Sequence, residues 1–164
     1  MDRCDGCRFE YDLTAASGAG TSIVDGAAEL GGLLRRDGAG RTRPESDVWS
    51  PIEYCCHVRD VLLVQRERVI AARLRDCPSF DPMGRDERVE YDGYAGQDPQ
   101  RVARQLDDAA LLFANVLARL APNDWDRTVM YSYPKQFERS LRWVAVHTVH
   151  EVRHHLGDVR RQLV

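Results

Sequence analysis

The chain has 164 residues, 43% of them hydrophobic and 30% charged, with a formal net charge of −3. That length fits one domain with a single substantial core, and the composition excludes a mostly disordered chain. No basic field points to nucleic acid or to an acidic membrane surface.

No apolar run is long enough to span a bilayer, and the first residues lack a charged-then-apolar signal pattern, so a cytoplasmic protein is expected. Five cysteines cannot all pair within the chain, and a reducing cytosol keeps them as thiols.

Residues 1–20 are rich in Gly, Asp and Ala and carry Cys4-Asp5-Gly6-Cys7, then Phe9 and Tyr11; they read as an irregular arm. From Thr21 to Arg36, Ile23, Val24, Ala27, Leu30, Leu33 and Leu34 recur at helical spacing, and Asp37 to Gly40 end the helix. Gly26, Gly31 and Gly32 weaken it, by up to about 1 kcal/mol each relative to alanine. The second helix has the clearest start: Ser50 as cap, Pro51 at the first position and Glu53 completing a capping box, with the helix running to about Arg75 before Cys77-Pro78. A third begins at Asp98-Pro99 and carries one apolar stripe from Val102 through Leu106, Ala109, Ala110, Phe113, Val116 and Leu117 to Leu120; Pro122 closes it. The last starts near Glu138 or Ser140 and runs almost to the C-terminus. The connections at about 37–49, 76–97 and 121–137 are long, and the middle one can cross over instead of making a tight hairpin. No stretch shows sustained period-2 alternation, so the expected class is all-α.

Four of the five histidines, His147, His150, His154 and His155, crowd one stretch of the last helix, and His57 lies about two turns into the second. A lone helical histidine is more often a surface or hydrogen-bonded core residue than a ligand. An i, i+4 pair is different, because His150 and His154 share a face and can chelate one ion. His155 points some 100° away from His154. His57 is then the histidine left to supply a third ligand, at a depth where facing helices meet.

Residues 150–154 spell His-Glu-Val-Arg-His, the H-E-x-x-H of zinc peptidases. The peptidase reading fails: Arg160 stands where the longer motif has its third histidine, and no strand offers an edge for a peptide. A di-iron carboxylate bundle needs two Glu-x-x-His units, and only Glu151/His154 supplies one. Cys4 and Cys7 make half a zinc knuckle, and the adjacent Cys55-Cys56 cannot form the other half. A tethered zinc, shared across a homodimer in one version, is the most specific role for the C-x-x-C; Cys56 reads as a small buried hydrophobe.

The segment from Trp49-Ser50-Pro51 to His57-Val58-Arg59-Asp60, and the ending from His150-Glu151 to Gly157-Asp158, resemble the DinB/YfiT-like superfamily of metalloenzymes, as do Pro78 with Phe80 and Asp124-Trp125-Asp126-Arg127. The resemblance covers roughly residues 21–162. It implies a four-helix bundle over 21–164, up-down-down-up, behind the arm at 1–20. It also implies a divalent metal, zinc or nickel, on His57 and an H-x-x-x-H pair of the last helix. That pair is His150 and His154. A second register, in which His155 precedes Leu156-Gly157-Asp158, makes it Glu151 and His155. Three protein ligands leave an open position, as in a catalytic site. Glu151, Asp158, Asp60 and Glu53 are candidates to orient imidazoles or move protons, with Glu151 the candidate catalytic residue.

The superfamily includes thiol-dependent isomerases and S-transferases. The resemblance therefore implies a metal-dependent transferase acting with a small thiol such as mycothiol and an electrophile. A noncatalytic ligand-binding bundle and a small metal-dependent hydrolase are the alternatives. Arg59, Arg66, Arg139, Arg142 and Arg153 are the candidates for holding an anionic group beside the metal.

Overall fold

The computed structural model describes residues 3–36, 40–132 and 135–163. Its helices are α1 (Ala19–Leu34), α2 (Pro51–Leu74), α3 (Arg85–Tyr91), α4 (Pro99–Leu117) and α5 (Leu141–Gln162). The helix starts follow the local chemistry. Asp98 accepts the Arg101 N–H at 2.8 Å ahead of α4, and Ser140 accepts the Trp143 N–H at 3.2 Å ahead of α5. Of the expected stop of α1 at Asp37–Gly40, all but Gly40 lies outside the described residues.

Glu53 anchors α2. Its Oε2 accepts the Ser50 N–H at 2.8 Å and the Ser50 hydroxyl at 2.7 Å, and the Arg43 guanidinium grips the same carboxylate. Burial would raise the Glu53 pKa, but Arg43 and Ser50 outweigh it and hold the carboxyl below its ordinary value. Because the folded-state pKa is depressed, this stabilisation is present above the unfolded carboxylate pKa of about 4.3 and is lost as pH falls through the folded value. Glu53→Gln should cost about 1–3 kcal/mol at neutral pH, at the lower end because Arg43 is partly solvated, and should flatten the acid limb of a stability-against-pH curve. Urea melts of both proteins from acid to neutral pH check it; an unchanged acid limb would contradict it.

The packing shows the direction of each helix. Gly20 lies against Ala114 and Gly31 against Ala103, so α1 and α4 are antiparallel. Gly26 meets Val152 and Glu29 pairs with Arg160, so α1 and α5 run parallel. A Cβ on Gly26 would fall 2.5 Å from Val152 Cγ1, so this glycine exchanges helix propensity for a close crossing. Gln162 reaches Trp49 while His155 meets His57, so α2 is antiparallel to α5. The order is up-down-down-up, and α2 and α4 are the parallel pair that the long 75–98 connection joins.

That connection contains α3, a seven-residue helix that no periodicity in the sequence marks. It is pinned to α2 through the buried Asp60, which accepts from Tyr94 Oη at 2.6 Å, Arg59 Nε at 2.7 Å and Arg88 Nη1 at 3.3 Å. The expectation of no strands needs correcting. Thr128–Tyr131 (β1) and Phe137–Ser140 (β2) pair antiparallel, with Val129 and Tyr131 turned into the core, and Glu138 lies in β2 instead of starting the last helix. Four-residue strands are too short to display a period. The hairpin is a small addition to a helical bundle and leaves the all-α class intact. The Met130 N–H donates to Pro78 O at 3.0 Å, tying the hairpin to the crossover. Among the described residues no helix is long and apolar enough to cross a membrane.

Candidate metal centre

Residues 147, 151 and 155 follow one another at i, i+4 along α5, and 150 and 154 form a second row one residue, or about 100°, behind. The two rows meet different neighbours. His57 of α2 groups with Glu151 and His155, with one ligand-type atom from each within 4.8 Å of the others. His150 and His154 group instead with Cys4 and Cys7 of the arm. Among the described residues, the set His57, His150 and His154 is not brought together as one ligand group. The reason is helical pitch: the row turned to α2 is that of Glu151 and His155, the second of the two registers.

In the first group the Glu151 carboxylate lies 3.9 Å from His57 Nε2 and 3.8 Å from His155 Nε2. Donors at about 2.1 Å from a tetrahedral ion stand about 3.4 Å apart, so these separations are close to those that one ion needs. The other nitrogen of His155, Nδ1, lies 2.9 Å from Asp158 Oδ2, which fixes the ring with Nε2 toward Glu151. His57 Nδ1 is buried and has no hydrogen-bond partner among the described residues. The donor set fits a divalent metal.

The protonation states suit it as well. Burial would raise the Glu151 pKa, but the His150 and His57 imidazoles beside it hold the carboxyl well below its usual range. Burial depresses His57 and takes His147 down to about 4, so both rings are neutral at pH 7. Asp158 is also held low, with His155 outweighing its burial. Asp60 and Glu53 have structural partners and do not line this cluster.

These groups open into a cavity of about 540 Å³ walled by α2, the crossover around Pro82 to Glu87, α5, the hairpin and the arm. Three arginines line it: Arg85, which pairs with Asp86, and Arg68 and Arg139, which give it a cationic side. Arg68 is 5% exposed; it donates to Gln65 Oε1 at 3.3 Å and to Asp81 O at 3.4 Å, its Nε has no hydrogen-bond partner, and among the described residues no carboxylate pairs with it. Its guanidinium lies over Tyr131, 4.5 Å from the ring centroid. Arg139 lies over Trp143 at 4.8 Å. Of the arginines expected from the sequence, only Arg139 lines this cavity. Arg59 pairs with Asp60, Arg66 with Glu67 and Arg142 with Asp126, and Arg153 lies over Phe9. The sequence reading missed Arg68, although it lies eleven residues, about three turns, beyond His57 on the same face of α2. It also missed Tyr11, whose hydroxyl is 2.9 Å from His147 Nδ1.

A family model for the DinB superfamily matches residues 32–159. The chain belongs to the DinB superfamily. Among solved structures, the chain is similar to YfiT from Bacillus subtilis, described as "a probable metal-dependent hydrolase with an unusual four-helix bundle topology". The TM-score is 0.81 at 15% identity, over 94% of this chain and 89% of that one. At that identity the likeness is one of fold. No curated protein matches the chain by sequence. The DinB match spans both the α2 and α5 parts of the histidine cluster but begins after the arm that carries Cys4 and Cys7.

Proposed function

We propose that this DinB-superfamily chain is a metal-dependent enzyme whose ion is held by His57, Glu151 and His155, and which transfers a small thiol to an anionic electrophile. The observation that carries the reading is Arg68, a buried cation without a carboxylate partner among the described residues, on the wall of the cavity that the ligand group faces. A buried charge is costly unless it is paired, so a bound carboxylate or similar anion is the partner that this wall suits. A zinc or nickel ion bound here supplies Lewis acidity, keeping a thiol with an ordinary pKa of about 8.5 as thiolate at neutral pH.

The chain's own residues do the rest. Asp158 holds the His155 ring in one orientation. Arg68 and Arg139 orient the electrophile through its anionic group, while Val61, Val64, Met83 and Trp143 give the cavity an apolar wall. Tyr11, its phenol pKa raised by burial, stays protonated and presents its hydroxyl to His147. A small-thiol cosubstrate goes with a cytoplasmic location. The second reading, a hydrolase with water in place of the thiol, is favoured by the fold shared with YfiT and the description that protein carries.

The test is to incubate metal-loaded and chelated protein with mycothiol or a surrogate thiol and maleylpyruvate, an epoxide or monochlorobimane. Conjugation or isomerisation that falls with chelation and returns with zinc is the expected result. Metal-dependent ester cleavage without thiol would favour the hydrolase. Binding of an anion with no turnover would leave a noncatalytic bundle.

A further inference from the structure

The arm folds as a tight hairpin around its C-x-x-C. The Cys4 N–H donates to Phe9 O at 2.9 Å, the Arg8 N–H to Cys4 O at 2.8 Å, and Arg3 and Glu10 form an antiparallel bridge. Arg8 takes a left-handed φ of 60°, which turns the chain back after Cys7. Phe9 seats this hairpin on α5, packing on His150 with ring centroids 5.4 Å apart and lying under Arg153. Tyr11 continues the contact, 5.4 Å from His150 and hydrogen-bonded to His147.

That seating supplies what the C-x-x-C lacks in the sequence. Both sulfurs, one nitrogen of His150 and one of His154 lie within 4.8 Å of one another. Cys4 Sγ is 3.7 Å from His154 Nδ1. A tetrahedral zinc with Zn–S of about 2.3 Å and Zn–N of about 2.1 Å sets sulfur and nitrogen about 3.6 Å apart. The approach is close at Gly6, where a Cβ would lie 3.1 Å from His154 Cε1. Neither ring nitrogen of the buried His150 has a hydrogen-bond partner among the described residues, although Nδ1 lies 3.2 Å from Glu151 Oε1.

From this arrangement we infer that Cys4, Cys7, His150 and His154 hold a zinc ion, separate from the one at His57, Glu151 and His155. Two thiolates and two neutral imidazoles balance the dication and match its preference for sulfur and nitrogen. Four protein ligands fill the tetrahedron, so the site is a closed, structural one. It fastens the arm across α5. Because Cys4 and Tyr11 line the cavity, the zinc fixes one wall of the neighbouring site.

The experiment loads the metal-free full-length protein with cobalt in place of zinc. Two equivalents should bind, one of them giving a near-ultraviolet thiolate-to-cobalt charge-transfer band. Cys4→Ser combined with Cys7→Ser should remove one equivalent and the whole band, while His57→Ala should remove the other equivalent and leave the band. In the wild type, zinc should protect Cys7 from a thiol-alkylating reagent, and chelation should expose it. The proposal is overturned if cobalt loading of the wild type gives no such band, or if the band survives in the double serine variant. A single equivalent carrying the band sustains this site and removes the one at His57; a single equivalent without it does the reverse. The wild-type band is decisive even if the serine variant fails to fold.

Discussion

His155→Ala should empty the site beside His57 and abolish its activity, whereas His154→Ala should leave that ion in place and remove the one on the arm. The two positions are consecutive, yet they lie on different rows of α5. The His155 nitrogen nearest Glu151 is Nε2, with Nδ1 tied to Asp158. His154 turns its Nδ1 to Cys4. Losing an outer carboxylate such as Asp158 typically costs about 10–100-fold in metal affinity, so loss of a direct ligand should exceed about 100-fold. The check is metal stoichiometry with a competing chelator, alongside turnover, for both variants. An ion lost at the His57 site on His154→Ala but kept on His155→Ala would return the ligand pair to His150 and His154.

Arg68→Met should weaken the anionic substrate by about 30- to 1,000-fold, the equivalent of roughly 2–4 kcal/mol for a buried charge-assisted contact. The metal content should not change, because the guanidinium belongs to neither ligand group. Stability should move by no more than about 1 kcal/mol. The substitution gives up the stacking on Tyr131 and two long hydrogen bonds, to Gln65 and to Asp81 O, but it also removes a desolvated cation without a carboxylate partner among the described residues, and the methionine stem refills much of the volume. A purely structural arginine would behave the other way, with a large loss of stability and an unchanged KM. Thermal melts, metal content and the KM for an anionic electrophile separate the two.

Much of the fold was legible because its signals are local. Ser50, Pro51 and Glu53 mark the start of α2, Asp98-Pro99 that of α4, and the Val102–Leu117 stripe shows which face of α4 is buried. The hairpin and α3 were not legible. Strands of four residues and a helix of seven are held by contacts with the crossover and with Asp60, and they leave no periodic trace of their own.

The sequence by itself determined a helical bundle with a crossover long enough to join parallel α2 and α4, and it concentrated the metal-type ligands on α5 and His57. It could not choose between the two rows of α5, because H-E-x-x-H-H offers an i, i+4 pair in either register. Only the tertiary structure separates the two rows. The side of α5 that packs against α2 carries Glu151 and His155, and the side beneath the arm carries His150 and His154. The same packing gave Cys4 and Cys7 their missing partners some 150 residues away. No spacing rule reaches that far, because the distance is closed by Phe9 and Tyr11 seating the arm on the helix.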